Sequence, residues 1–513
     1  MRHVCAALVA VGVARIAAAQ CSPTVLFTNY TILPSGVVPG ISPVTRFAAG
    51  SNPTNPYQQI AVSPQGNYWV LRAAAGTSSG HVIVRGVGRT RAGAQLIVRR
   101  TVTPVLGTRT CDTLGEHVDV NDAGVVVFTG DLSGSIADDS FVARWNGAFT
   151  LAVREGQQLL GSPYGFGIAN NGPTLLDDGR LVHSSDLLTG SANLSAIVSV
   201  SSGGGEVLTL TGSTTPLQQQ AQPAQPLWLL APVRVASSSD GVSRVFFGTL
   251  AGPTSTNAVL MHNDTVLAQK TFVIPGSGLA SAYERPATGT AVTQCAPTGG
   301  FCAARVTMND GVDAILNIQQ GVVSGTLART GEPVTPGSTE VYADAQLLET
   351  FLACALASNG DWVVIGTTSE TDLMRDTVLV FRGTRVLLRE GDEIDLNEDG
   401  QFNDNAFVGG FAQDGLALSD NGDIYVTVSV RGAAGNATGS ALLTLRTPRC
   451  NGVDFNNDEV FPSDDDVVDF FNVLAGASCP ACDSIDFNND CVFPSDDDVI
   501  AFFNVLAGGA CTP

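Results

Sequence analysis

Seven times along this chain a run of apolar residues breaks at a tight polar turn and then resumes. The turns are Ser63-Pro64-Gln65-Gly66, Asn121-Asp122-Ala123-Gly124, Asp177-Asp178-Gly179, Ser239-Asp240-Gly241, Asn309-Asp310-Gly311, Ser358-Asn359-Gly360 and Asp420-Asn421-Gly422. Several are Asp-Gly or Asn-Gly pairs, which tolerate the positive φ that a short hairpin needs, so each turn should join two antiparallel strands. The turn glycines lie 58, 55, 62, 70, 49 and 62 residues apart, room for about four short strands with loops, the size of one propeller blade. Further hairpins follow the turns, as in FVARWNGAFTLAVREGQQLL at 141–160 and TVLVFRGTRVLLREGDEIDL at 377–396.

The body from Cys21 to Leu445 is rich in Val, Leu, Thr, Ser and Gly and has no sustained helical period, which is the composition of an all-β region. We therefore expect a mainly β chain with a seven-bladed β-propeller over residues 21–448. The last repeat stops at ALLTLRT, 441–447, and TVLFTNYTIL, 24–33, is a lone strand that would complete it. Such closure removes exposed sheet edges. A β-sandwich array or an irregular solenoid is the alternative. Asn121 to Phe128 reads NxxGxxxF, and the body resembles secreted bacterial proteins with tandem repeats of that motif, a likeness that implies no settled activity.

Residues 450–513 are organised differently. CNGVDFNNDEVFPSDDDVVDFFNVLAGASC is followed, 32 residues on, by CDSIDFNNDCVFPSDDDVIAFFNVLAGGAC. In the first copy Asp454, Asn456 and Asp458 fall at alternate positions, and Val460 adds a backbone carbonyl at position 7, the spacing by which a tight loop turns oxygens toward one hard cation. Ser463 is a natural N-cap with Asp466 three residues on. Val467, Phe470, Phe471 and Leu474 then recur at i, i+3, i+4 and i+7 before Gly476 ends the helix. Asp486, Asn488, Asp490, Val492 and Asp498 repeat the loop, and Val499, Phe502, Phe503 and Leu506 repeat the helix face. The expectation is a small α-helical module that packs its two Phe-rich faces together.

This tandem resembles a type I dockerin, most closely the variety called GC-type dockerin, a pair of half-EF-hands at the C-terminus of secreted bacterial proteins. The likeness covers roughly 60 of the 513 residues and implies calcium as cofactor and a cohesin-like secreted or surface protein as partner. Glu459 and Cys491 stand where the family usually has Gly, and Pro462 and Pro494 occupy position 9. The Asp-Asp-Asp runs offer two closing ligands in each loop. Asp465 and Asp497 satisfy a strict count, while Asp466 and Asp498, which we favour, match the phase of the helix. Polar turns that bind nothing are the alternative. In the body Asp395, Asn397, Asp399, Gly400 and Asn403 form DxNxDGxxN, similar to the calcium hairpin of integrin α-chain propellers. A polar hairpin is the alternative there, and Ala406 at position 12 excludes an ordinary EF-hand closure.

Of the net charge of −22, 13 units sit in the segment from Cys450, which holds twelve Asp, one Glu and no Lys or Arg. The chain has one lysine, Lys270, and scattered arginines, a distribution that argues against nucleic acid as partner. Residues 1–19 read as a secretory signal peptide, with Arg2, an apolar run from Val4 to Val13 and Ala17-Ala18-Ala19 before Gln20. No later run approaches the length of a membrane span. Ten cysteines would remain after cleavage, and in an oxidising compartment their spacing points to Cys450–Cys479, Cys482–Cys511 and Cys295–Cys302 bridges. Cys21, Cys111, Cys354 and Cys491 are left over. Cys479 and Cys482 form the only CxxC, with no histidine near it in sequence, so zinc is disfavoured.

None of His81, His117, His183 and His262 sits in a ligand spacing or a hydrolase motif. Glu116 with His117, Asp392 with Glu393, or Glu398 with Asp399 would be acid–base candidates, though carboxylates in turns are usually solvated and no glycosidase-like separation is evident. The first reading of function is a secreted or cell-surface, non-enzymatic recognition or scaffold propeller, with a glycan or protein ligand, tethered through the docking module. The second is an extracellular polysaccharide-active hydrolase or lyase delivered by the same module.

Overall fold

A computed structural model describes residues 23–28, 57–74, 81–90, 93–135, 138–167, 171–189, 192–201, 204–210, 214–215, 225–228, 235–250, 253–286, 293–343, 350–397, 399, 401–448, 450, 452–456, 458, 460, 463–479, 482, 485–488 and 494–509. The chain divides into two compact units. The larger comprises residues 25–393 and 405–444. The smaller comprises residues 1–24, 394–404 and 445–513.

The larger unit is a seven-bladed propeller, one antiparallel sheet per blade. Blade 1 runs Tyr57–Val62, Tyr68–Ala74, His81–Val87, Gln95–Arg99. The innermost strands of blades 2 to 7 are Arg109–Val120, Asn171–Leu175, Val235–Ser237, Thr293–Cys295, Phe351–Leu356 and Phe407–Leu418. Blade 7 continues through Asp423–Arg431 and Ala437–Arg446, and its fourth strand is Thr24–Thr28 from the other end of the chain. The expected closure is thus present over 24–28; residues 29–33 of the anticipated strand lie outside the described residues.

Outside blade 5, each inner strand folds back at one of the turns legible in the sequence. In blade 2 the Asn121 side-chain oxygen accepts from the amides of Ala123 and Val125, Gly124 adopts φ +73°, and Phe128 enters the core against Phe141 and Phe149. The NxxGxxxF pattern is therefore one turn cap, one left-handed residue and one core anchor. Blade 5 corrects the expectation. Asn309-Asp310-Gly311 joins its second and third strands, Phe301–Met308 and Asp313–Gln319. The inner turn is Ala296-Pro297-Thr298-Gly299-Gly300, with both glycines at positive φ. With Gly300 in place of Gly311 the uneven intervals of 70 and 49 become 59 and 60, counted from Gly241 to Gly300 to Gly360.

The propeller core sits between blades, because each sheet presents apolar side chains to both neighbours. Val70 and Ile83 of blade 1 pack with Val118, Phe128 and Phe141 of blade 2, and Leu26 and Leu442 of blade 7 pack with Trp69 and Leu71 of blade 1. Two buried arginines tie neighbours together. Arg72 donates to the Leu114 carbonyl at 2.9 Å, and Arg305 donates to those of Phe351 and Leu352 at 2.7 and 2.6 Å. Leu114 and Phe351 lie at register shifts of their strands, where bulges release carbonyls from the ladder.

Among the described residues the smaller unit has two helices of equal length, α1 (Asp464–Leu474) and α2 (Asp496–Leu506), each opened by a full capping box, Ser463 with Asp466 and Ser495 with Asp498. Among the described residues no helix is long and apolar enough to cross a membrane.

Candidate metal loops and the central channel

In the first loop the amide of Asp458 donates both to Asp454 Oδ1 at 3.1 Å and to Asn456 Oδ1 at 3.2 Å. Asp458 Oδ1 accepts from the Val460 amide at 2.8 Å. Asp466 lies fully buried behind the loop. Its Oδ1 accepts from the Phe455 amide at 2.8 Å, and its Oδ2 from the amide and hydroxyl of Ser463. It therefore joins loop to helix, as its phase in the sequence required, whereas Asp465 is exposed on the first turn. In the second copy Asp486, Asn488 and Asp498 are buried and Ser495 makes the same two bonds to Asp498. Asp490 and Val492 lie outside the described residues.

As described, no three carboxylate, histidine or cysteine groups converge at metal-binding distance. What the first loop holds is a set of carboxylate and amide oxygens on one tight turn, two of them aimed at a single amide. That donor chemistry fits a hard cation and no soft one.

In the 395–404 loop the hydrogen bonds centre on Asp404, a residue outside the expected ligand set. Asp404 Oδ2 accepts from the amides of Leu396 and Asn397 at 2.7 and 3.2 Å, and its Oδ1 from Asn397 Nδ2 at 3.1 Å. Asp399 caps the turn through Gln401 and Asn397, and Asp395 is buried. Asn403 is exposed. The loop thus gathers Asn397, Asp399 and Asp404. The motif spacing favoured Asn403, and only the stronger charge of its neighbour hinted at Asp404.

Two cysteine expectations fail. Cys479 is bonded to Cys482 rather than to Cys450, and Cys482 is therefore not available to Cys511. A CxxC stretch between helix end and next loop brings its own sulfurs within reach before either can meet a partner a whole repeat away. Cys295–Cys302 forms as expected, across paired strands of blade 5. Cys111 and Cys354 are buried in the core between neighbouring blades; Cys21, Cys491 and Cys511 lie outside the described residues.

The two helices also depart from the simple stripe. Phe470 and Phe502 stack at 4.2 Å with planes 8° apart, and Phe455 and Phe487 meet them edge-on at 5.2 Å each. All four are fully buried. Phe471 and Phe503 remain partly in solvent. Phe455 and Phe487 are the second residues of the two loops, so the metal-loop sequence itself supplies half of the aromatic core, a role the loop spacing did not announce.

At the propeller axis the seven inner turns form a hydrogen-bonded belt. Gln65 donates to Asp122 at 2.9 Å, Asp177 to the Ser239 carbonyl at 2.8 Å, Asp240 to Pro297 at 3.2 Å, Thr298 to Ser358 Oγ at 2.9 Å, Ser358 to Asp420 at 2.7 Å and Asp420 to Pro64 at 2.7 Å. Blades 2 and 3 are joined one step inside, where Leu175 donates to Asp119 at 2.8 Å. Burial, with Asp122, Asp240 and Asp178 nearby, holds the Asp177 carboxyl above its ordinary range.

Inside the belt lies a cavity of about 170 Å³ lined by all seven inner strands. His117 and Asp119 both face it, two residues apart on one strand. Each is engaged at a strand edge: His117 with Gln59 at 2.8 Å and Asp119 with Leu175. Asp119 is the one carboxylate among the described lining residues, and no lysine or arginine joins it. The side chain of Glu116 lies outside the described residues.

No family model matches the chain, and no curated protein matches it. Similar solved structures include prolyl oligopeptidase B from Galerina marginata, 10% identical, TM-score 0.37, covering 73% of this chain and 47% of its own. Hydrazine synthase of Kuenenia stuttgartiensis is 12% identical, TM-score 0.36, covering 80% and 99%. The β-propeller domain of the Trilobed protease from Pyrococcus furiosus is 9% identical, TM-score 0.36, covering 66% and 85%. The chain spans about half the length of the prolyl oligopeptidase it matches.

Proposed function

We propose that the chain is a secreted or cell-surface calcium-binding protein whose propeller serves recognition or scaffolding and whose C-terminal tandem docks it to another secreted protein. The observation that carries this reading is the pair of loop–helix units. The first has oxygen donors on a tight turn, each has a buried Asp bonded to its helix N-cap, and the two share an aromatic core. Calcium held by Asp454, Asn456, Asp458, Asp466 and the Val460 carbonyl, and by the corresponding residues Asp486, Asn488, Asp490, Asp498 and Val492, would neutralise a segment that has no cation of its own. The loop of Asp395, Asn397, Asp399 and Asp404 is a further calcium candidate. Residues 1–19 supply the export signal. For the propeller we infer a binding role, because its channel groups are engaged in holding strand edges; a glycan or a protein is the ligand class.

The test uses the mature full-length protein. Millimolar calcium should raise the melting temperature of the tandem and chelator should lower it, with Asp454→Ala/Asp486→Ala insensitive to both. Identical melting and circular dichroism with calcium and with chelator would refute the assignment.

A further inference from the structure

The wall of the channel cavity is in large part main chain. Ile60, Val120, Leu175 and Leu356 line it, yet each is buried in a cluster between neighbouring blades, so what it presents at the axis is backbone. Along this stretch every innermost strand is paired with a sheet neighbour on one side, and its other edge carries N–H and C=O groups to the axis. Side chains add to this. Gln59 and His117 lie four residues ahead of their turns, about 13 Å from the belt along the strand. Gln59 Oε1 accepts from His117 Nδ1 and from the Val118 amide, which leaves the Gln59 amide nitrogen as a donor. Asp119 stands between that end and the belt, and the amides of Val120 and Leu175 meet its two oxygens at 2.8 Å each.

The charge at the belt has the same sign as that in the cavity. Asp122, Asp177 and Asp240 sit on adjacent turns, in blades 2, 3 and 4, close enough that Asp122 and Asp240 add to the effect of burial on the Asp177 carboxyl. Arg180, beside them, is bonded to Asp178 at 2.6 Å. We propose that the channel binds a small hydroxylated primary amine, with Asp119 as its counter-charge and the strand edges as its hydrogen-bond partners. A primary ammonium carries three donors, suited to one carboxylate and nearby carbonyls. A quaternary ammonium calls for aromatic faces, and no Phe, Tyr or Trp is among the described lining residues. A calcium ion takes about six to eight oxygens, commonly from several carboxylates, where this wall has Asp119. An anionic group on the ligand would meet no lysine or arginine among the described lining residues. Size sets the rest. A cavity of about 150 Å³ takes up one benzene molecule, so about 170 Å³ suits a ligand of roughly six to eight non-hydrogen atoms. This ligand is additional to the partner of the tandem, and the inference rests on neither the docking nor the calcium reading.

Three probes on one three-carbon frame test it: serinol, in which a hydroxymethyl group replaces the carboxylate of serine, as the cation; glycerol as the neutral molecule; and serine as the zwitterion. Each is titrated into the mature full-length protein by calorimetry, with calcium present throughout. Serinol should bind, glycerol and serine should bind at least tenfold more weakly, and Asp119→Asn should lose at least tenfold for serinol, with its melting temperature checking that it stays folded. Hydrogen–deuterium exchange of the wild type locates the site without any variant, since serinol should slow exchange in peptides spanning 117–120, 172–175 and 416–418. Equal affinity for serinol and glycerol would overturn the ammonium, and a folded Asp119→Asn that binds as the wild type does would overturn Asp119 as its counter-charge. Protection confined to other segments would overturn the channel, and no binding of serinol would overturn the site altogether.

Discussion

The amide of Asp420 donates to the carbonyl of Pro64 at 2.7 Å, joining the last inner turn of the propeller to the first. Asn421 adds a bond from its side-chain amide to the Gln65 carbonyl at 2.6 Å. The ring is therefore closed twice at one seam. At the axis the turns of blades 7 and 1 are tied directly, and in blade 7 the strand Thr24–Thr28 completes a sheet begun more than 380 residues later. A closed belt has no weak link from which a blade can peel, so disruption at the seam should loosen the whole ring.

Leu26→Ala tests the outer closure. Leu26 is fully buried and packs with Trp69, Leu71 and Leu442, so the truncation should cost about 2–5 kcal/mol. Urea titration of the full-length protein measures it. A cost below about 1 kcal/mol would mean that the closing strand contributes little to the ring.

Gly86→Ala tests the packing between strands of blade 1. A Cβ at Gly86 would overlap the Trp69 indole, which is fully buried and so has nowhere to retreat. Overpacking of this kind costs about 1–3 kcal/mol. Adding Trp69→Phe to Gly86→Ala should recover part of the loss, and the melting temperatures of the single and double variants decide it.

Blade count and closing strand were legible because hairpin chemistry is local: a turn needs its own glycine and its own capping side chain, as Asn121 and Gly124 show. The blade 5 error had the same origin. Asn309-Asp310-Gly311 is a true hairpin, and nothing local distinguishes a turn between strands two and three from one at the axis. Even spacing would have chosen Gly300. In the tandem, capping box and helix phase were readable from Ser463 and Asp466, also local. What could not be read was long-range: that Phe455 fills the core while Phe471 stays outside. That outcome depends on how two copies pack, which one copy does not encode. The belt was hidden too, since main-chain bonds such as Asp240 to Pro297 have no side-chain signature.

One buried and one half-buried group give the propeller opposite pH dependences. His183 is fully buried against Phe166, and burial lowers its pKa to about 4. The folded state therefore binds its proton less readily than the unfolded chain, and stability present above about pH 6.5 is lost as pH falls toward 4. Glu390 is raised to about 7 by burial, then by Asp376. Its neutral form is preferred in the fold, so the stability it contributes is complete below about pH 4.5 and is lost as pH rises through 7. His183→Gln should flatten the melting curve between pH 6.5 and 4, and Glu390→Gln should raise the melting temperature at pH 8 and leave it unchanged at pH 4.5. Each shift corresponds to about 3 kcal/mol at its limit. Unaltered pH profiles in both variants would remove these groups from the account.

Phe470→Ala bears on whether the tandem holds itself together without metal. Phe470 touches Phe455, Phe487 and Phe502, so its removal opens the centre of the aromatic core, at about 3–5 kcal/mol. A unit of about 60 residues commonly has no more stability than that to lose. Without calcium the variant should therefore melt only as a propeller, its helical signal already gone at 25 °C. Calcium in large excess binds the folded form alone and adds RT ln(1 + [L]/Kd), about 4 kcal/mol at a thousandfold excess over Kd. That is enough to offset the cavity, so the helical signal should return on titration, with a midpoint displaced to higher calcium than in the wild type. Circular dichroism at 222 nm during the titration measures both. A variant that stays helical in chelator would show that the fold of the tandem does not depend on this stack, and one that calcium never restores would show that the loops do not couple metal to folding.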